Sequence, residues 1–187
     1  LWAVSVARAA VSNRLRIVGG EWRRRILRFP DAPGLRPTPD RVRETLFNWL
    51  GQRLDGLRCL DLFAGSGALG FEAASRGARA TVLLERDAQV LNALRENQRL
   101  LGADRIELVA GDGLSFLAGD CGLFDVIFLD PPFASSLLPE ALARAATHLA
   151  PKGKIYIEFG SRPDLEGWRV LREGRAGLSH FCLLEPA

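Results

Sequence analysis

The chain has 187 residues, 48% of them hydrophobic, and no apolar run near the roughly 20 residues needed to cross a bilayer, so one domain with a substantial core is expected and a membrane protein is not. Its three cysteines, Cys59, Cys121 and Cys182, are odd in number, widely spaced and outside any Cys-x-x-Cys pair, which argues against a disulfide framework or a metal site and for a reduced, cytoplasmic setting. The net charge of +3 conceals an asymmetry: residues 1–50 carry ten Arg against four acids, while the remaining 137 carry 15 basic against 18 acidic residues.

Residues 1–13 open on an apolar stretch that Arg8 interrupts and no basic segment precedes, so a signal peptide is not expected and the segment reads as a disordered extension. Residues 14–18 and 23–29 read as two strands about Gly19-Gly20. On that hairpin Arg16, Arg23, Arg24, Arg25 and Arg28 would lay guanidinium groups on phosphates, and Trp22, near the turn, would offer its face to a base. A solvated basic face is the plainer reading of the same residues. Pro30, Pro33, Pro37 and Pro39 make a stiff connector. A helix then runs from Asp40, whose carboxylate would cap it, to about Leu50, with Val42, Leu46, Phe47 and Leu50 on one face and Gly51 ending it. Residues 14–52 are thus expected to form a basic unit of hairpin, connector and helix ahead of the main domain at 53–187.

From there the pattern alternates. Strands are expected at 58–62, 79–85, 106–110, 124–130 and 154–159, and helices at 67–76, 87–101, 113–118 and 137–148. Two closing strands near 168–173 and 180–185 complete an α/β fold, a Rossmann-like, seven-stranded doubly wound sheet whose last strand is antiparallel. His148 and His180 are too isolated to make a ligand set or a triad.

The chemistry gathers at the strand ends. Asp61-Leu62-Phe63-Ala64-Gly65-Ser66-Gly67 is a strand end followed by a glycine turn, and residues 65–70 match the Gly-x-Gly-x-x-Gly of dinucleotide folds. An acid four residues before Gly65 would repel a pyrophosphate but receive a cationic amine. Asp61 therefore favours S-adenosylmethionine over a nicotinamide cofactor, with Phe63, Gly65, Ser66 and Gly67 lining its site. Glu85 would accept the ribose hydroxyls and Asp112 the adenine amine. In Asp130-Pro131-Pro132-Phe133, the Asp130 carboxylate and the Pro131 carbonyl would each accept an N–H of an exocyclic amine, while Phe133 stacks on the base. A base amine is a poor nucleophile because its lone pair is delocalised into the ring; two acceptors turn that lone pair toward an incoming methyl group.

These motifs, with the stretch Arg36-Pro37-Thr38-Pro39-Asp40-Arg41-Val42-Arg43-Glu44-Thr45-Leu46-Phe47-Asn48-Trp49-Leu50 and the preceding Arg16-Ile17-Val18-Gly19-Gly20-Glu21-Trp22-Arg23, resemble the RsmD family. That family comprises bacterial 16S ribosomal RNA guanine-N2 methyltransferases of the small subunit, which are class I S-adenosylmethionine-dependent enzymes. The resemblance runs from about Arg14 to the C-terminus. It implies methyl transfer from S-adenosyl-L-methionine to N2 of one guanine in 16S rRNA, in an assembled or assembling subunit, by a monomer. It also implies that the connector and first helix cover the cofactor pocket, with Arg36 and Thr38 near the methyl donor or the RNA and Arg43 near the RNA. An adenine-N6 DNA methyltransferase, an NAD-dependent oxidoreductase and a non-catalytic RNA-binding module remain as alternatives.

Overall fold

Two short strands, β1 (Ser12–Arg16) and β2 (Ile26–Pro30), form an antiparallel ribbon in the computed structural model of the chain, which describes residues 12–132 and 135–187. Alternation gives the ribbon two faces: Leu15, Leu27 and Phe29 are buried, while Arg14, Arg16, Ile26 and Arg28 are exposed. The ribbon begins at Ser12 rather than Arg14, because Ser12 and Asn13 still pair with Pro30 and Phe29. Helix α1 (Asp40–Trp49) follows the proline-rich connector. Its N-cap is Pro39, not Asp40: the Asp40 carboxylate sits inside the first turn and pairs with Arg43 instead of capping.

The rest alternates as β3 (Arg58–Asp61), α2 (Ala68–Ser75), β4 (Ala80–Glu85), α3 (Ala88–Leu101), β5 (Ile106–Ala110), α4 (Gly113–Ala118), β6 (Phe124–Leu129), α5 (Leu137–Ala146), β7 (Leu149–Phe159), β8 (Trp168–Ala176) and β9 (Ser179–Pro186). The strands form one sheet in the order β5-β4-β3-β6-β7-β9-β8. The first five are parallel, and β9 runs antiparallel between β7 and β8. Strand β7 starts five residues earlier than expected, because Leu149 pairs with Phe124 across an irregularity in the ladder. From β3 the chain winds outward through β4 to β5, then returns to place β6 on the other side of β3. That reversal opens a crevice at the carboxyl ends of β3 and β6, where open α/β sheets bind ligands.

Both faces of the sheet are covered, which is why its strands read as continuous apolar runs. Leu60, Ile127, Leu129, Ile155 and Ile157 pack beneath α4 and α5, and Cys59, Val126, Phe128 and Tyr156 face α1 and α2. The ribbon adds a third cluster, in which Leu15, Ile17, Trp22, Leu27 and Phe29 meet Phe71, Ala74, Leu91 and Leu94 of α2 and α3. Asn97 of α3 ties β2 down by bonding both backbone groups of Arg28, at 2.9 and 3.2 Å. Asp87 caps α3 by accepting from the N–H groups of Gln89 and Val90 at 2.9 and 3.0 Å. Asp87→Ala is expected to lower the unfolding free energy by about 1 kcal/mol, read as a fall in the urea midpoint of the unliganded protein.

The 17–25 loop differs most from expectation. Arg23, Arg24 and Arg25 lie in it rather than in the second strand: their N–H groups bond the Gly20, Ile17 and Trp22 carbonyls within the loop, while residues 18–22 bond α2. Glu21 N–H donates to the Ser75 carbonyl at 2.7 Å, Trp22 N–H to Ser75 Oγ at 2.9 Å, and Val18 and Gly19 N–H to Glu72 at 3.0 and 2.8 Å. Gly20, with φ 81°, approaches so closely that a Cβ there would lie 1.9 Å from the Ser75 carbonyl oxygen. Glu72 also holds Arg43 at 3.1 Å and Arg76 at 2.9 Å, all three buried. Through this ion cluster the loop, α1 and α2 share one anchor. A buried acid is retained at such a point only because two guanidinium groups and two backbone N–H groups satisfy it.

Candidate active site

Asp61 closes β3 at the crevice and is 1% exposed. Its Oδ2 accepts the Gly70 N–H at 2.9 Å, while its Oδ1 is buried and has no partner among the described residues. Burial pushes its carboxyl up to about 7; the Gly70 bond opposes that rise, and the nearby charges of Glu85 and Glu158 add to it. A buried carboxylate oxygen without a donor is costly unless a cation or donor completes it. The ammonium of a methyl donor suits that oxygen in chemistry and charge.

The glycine turn makes the approach possible. Gly67 has φ 81°, and a Cβ on it would meet Phe71 at 2.6 Å and Leu94 at 2.8 Å. Glu85, closing β4, accepts Gly65 N–H at 3.0 Å and Asp87 N–H at 2.9 Å, one on each oxygen. Its remaining lone pairs suit a diol. Asp112 caps α4 by accepting from the Ser115 N–H and hydroxyl at 2.9 and 3.0 Å, and the Ser115 N–H foremost holds its carboxyl below the usual carboxylate range. Asp61, Phe63, Gly65, Ser66, Glu85, Asp112, Asp130 and Pro131 all line one cleft of about 670 Å³, within the usual range for small-molecule sites. Arg36 and Thr38 of the connector form its opposite wall, and the β8–β9 turn, Gly177 to Ser179, borders it. The expected cofactor residues therefore converge, Gly67 by setting the backbone of the turn.

Asp130 follows β6 and is half-buried beside Glu158. Burial pushes its carboxyl well above the ordinary range, and the charges of Glu158 and then Asp61 add to the rise. Pro131 is buried beneath it, and the Pro132 carbonyl is taken by the Ser135 N–H at 2.9 Å. Phe133, expected to stack on the base, lies outside the described residues.

Sequence reasoning missed Glu158. It is 7% exposed on β7, and its Oε1 accepts from the Tyr156 hydroxyl at 2.7 Å and the Thr38 hydroxyl at 3.2 Å. The signal was a single acid in the otherwise apolar run Ile155-Tyr156-Ile157-Glu158-Phe159, one strand beyond the four acids that drew attention.

Two expected RNA contacts fall elsewhere. Trp22 is only 6% exposed and packs on α2, so its face is not offered to a base. Arg43 is fully buried: besides Glu72 and Asp40 it bonds the Arg16 carbonyl at 2.8 Å and, through Nε, the Thr38 carbonyl at 3.0 Å. It braces the connector over the cleft and touches no outer surface. Arg16, Arg23, Arg24, Arg25 and Arg28 are all exposed, with Arg25 leaning on the Leu100 carbonyl at 3.2 Å.

The family model described as Conserved hypothetical protein 95 matches residues 15–185. The chain is 44% identical over 180 residues to Ribosomal RNA small subunit methyltransferase D of Escherichia coli strain K12, spanning 93% of this chain and 91% of that protein. The protein of the same name from Haemophilus influenzae is 41% identical over 182 residues, spanning 92% and 94%. Among solved structures, a putative methyltransferase, yhhF, from Escherichia coli superposes with a TM-score of 0.84 and 42% identity, covering 93% of this chain and 98% of that one.

Proposed function

Since the chain belongs to the family of ribosomal RNA small subunit methyltransferase D, the RsmD family, we propose that it transfers a methyl group from S-adenosylmethionine to N2 of guanine 966 in 16S ribosomal RNA. The observation that carries this reading is one cleft holding both an unpartnered buried carboxylate oxygen, on Asp61, and a second acid followed by two prolines, at Asp130. S-adenosylmethionine, when bound, supplies an electrophilic methyl group on a sulfonium. Asp61 receives the ammonium, Glu85 the ribose hydroxyls and Asp112 the adenine amine. Asp130 and the Pro131 carbonyl accept the two N–H groups of guanine N2, which directs its lone pair into the cleft and offsets the charge that grows on nitrogen. The guanine enters turned out of its RNA context, between the β6 end and the connector. Phe133 is proposed as its stacking surface, a contact worth roughly 1–3 kcal/mol.

The exposed arginines of the ribbon and its loop grip phosphates, and Arg36 at the cleft wall meets the nucleotide beside the target. A footprint this small suits a substrate already shaped by ribosomal proteins, in the cytoplasm, with the enzyme acting as a monomer. Incubation with tritiated S-adenosylmethionine tests the reading. Label in small-subunit RNA, mapped to one guanine N2, supports it; label in DNA, or none, overturns it. Replacing Arg23, Arg24 and Arg25 together with alanine is expected to weaken binding to small subunits about tenfold and to lower the salt slope by up to three counterions. S-adenosylmethionine binding should be unchanged in that variant. Equally tight binding of the wild-type protein to protein-free RNA would count against an assembled substrate.

A further inference from the structure

We propose that Glu158 acts through Asp130 as a positioning residue and proton store: it takes the hydrogen of the Asp130 carboxyl while Asp130 takes the proton leaving the methylated amine. The proposal rests on the methyl-transfer reading of the cleft. Its basis is geometric. Glu158 stands near the end of β7, one residue past the pairing of Ile157 with Leu129, so it lies beside Asp130, and both acids line the cleft. Two hydroxyl donors, Tyr156 at 2.7 Å and Thr38 at 3.2 Å, converge on its Oε1. Donors stabilise a carboxylate and do nothing for a neutral acid's carbonyl of comparable strength. Thr38 also reaches Asp130, but Tyr156 donates to Glu158 alone, so of the two acids Glu158 is the better equipped to carry the negative charge, which leaves the shared proton on Asp130. Two adjacent like charges oppose each other's ionisation, so the pair holds one proton between them.

Besides Tyr156 and Thr38, the other groups facing the pair are Asp61 from β3, whose charge opposes ionisation, and Ser179 at the start of β9. A neutral Asp130 still presents its carbonyl oxygen to an amine N–H. During transfer the N2 lone pair forms the N–C bond, and the C–S bond breaks with its electron pair passing to sulfur. The proton then surplus on N2 goes to Asp130, and the Asp130 proton goes to Glu158. The pair ends with two protons and returns one to solvent after the products leave. A lone carboxylate at Asp130 would accept the same proton only by first standing ionised beside Asp61, whose charge opposes it.

Two variants test this. Tyr156→Phe keeps the ring in the core but removes one donor from Glu158, so Glu158 takes up a proton at higher pH. The acid limb of the kcat–pH profile, measured at saturating methyl donor so that Asp61 stays ionised, is expected to move to higher pH. Glu158→Gln retains an acceptor for both hydroxyls but stores no proton. It is expected to lower kcat roughly tenfold to a hundredfold, with the KM for small subunits and the Kd for S-adenosylmethionine unchanged. Carbon-13 titration of the aspartate carboxyls in the free protein supplies a readout independent of turnover: in Glu158→Gln the Asp130 signal should titrate at lower pH than in wild type. An unmoved acid limb in Tyr156→Phe, or an unmoved Asp130 titration with wild-type kcat in Glu158→Gln, overturns the role of Glu158 alone. Absence of methyl transfer by the wild-type protein overturns the functional reading and the proton role with it.

Discussion

Asp130→Ala is expected to lower kcat by about 10²–10³, the scale seen when one preorganised partner of a developing charge is removed. The ground state has little to lose, because a neutral base amine binds a carboxyl only modestly. The transition state has much to lose, since positive charge grows on N2 as the lone pair leaves conjugation. That charge would then face a wall with no acceptor beside the Pro131 carbonyl, and no route to Glu158. The loss should therefore fall on kcat, with the Kd for S-adenosylmethionine within about twofold of wild type. Single-turnover measurement on small subunits decides the matter. Near-normal turnover by Asp130→Ala would remove the electrostatic mechanism.

Asp61→Asn should instead abolish tight binding of the methyl donor, weakening Kd by on the order of 10²–10³, equivalent to roughly 2–5 kcal/mol for truncating a buried charge pair. The isosteric amide is the sharper test. Its oxygen must stay with the Gly70 N–H, at the 2.9 Å that Oδ2 now occupies, so its NH₂ replaces the unpartnered Oδ1 and opposes the ammonium donor to donor. pH provides a second check. With the Asp61 carboxyl pushed up to about 7, the free protein is largely protonated there below that pH, whereas the ammonium selects the ionised form. Binding should therefore release a proton below pH 7 and weaken by up to tenfold per unit as pH falls further. Calorimetry in buffers of different ionisation enthalpy reads that proton, and Asp61→Asn should show none. In the free protein the same group holds its proton more tightly folded than unfolded. Its effect on stability is therefore present at low pH and is lost as pH rises from about 4 to 7.

The sheet was legible because its central strands are buried on both faces, so their composition announces them without help from neighbours. Asp61, Glu85, Asp112 and Asp130 were legible for a related reason: each follows its own apolar run, and a parallel sheet delivers all such ends to one edge. What failed depends on partners distant in the chain. Arg43 looks like any surface arginine until Glu72, 29 residues away, is folded against it. Trp22 looks available until α2 arrives with Ser75 to bond its backbone. Glu158 acquires its meaning only because β6 and β7 are neighbours, a pairing no local pattern contains. The loop arginines were placed in a strand because their run resembles one, yet they turn back on Ile17, Gly20 and Trp22 once residues 18–22 are bonded to α2, which the segment itself does not reveal.

The Glu72 anchor has a consequence for how a target is chosen. One carboxylate fastens the arginine-bearing loop, the helix that follows the connector and the helix that starts at the glycine turn. On the proposed function, the phosphate grip and the chemical centre would then work as a fixed-gauge ruler, accepting a nucleotide whose backbone and amine both register on it at once. Loosening the anchor would therefore blur which nucleotide is modified before it slowed the modification itself.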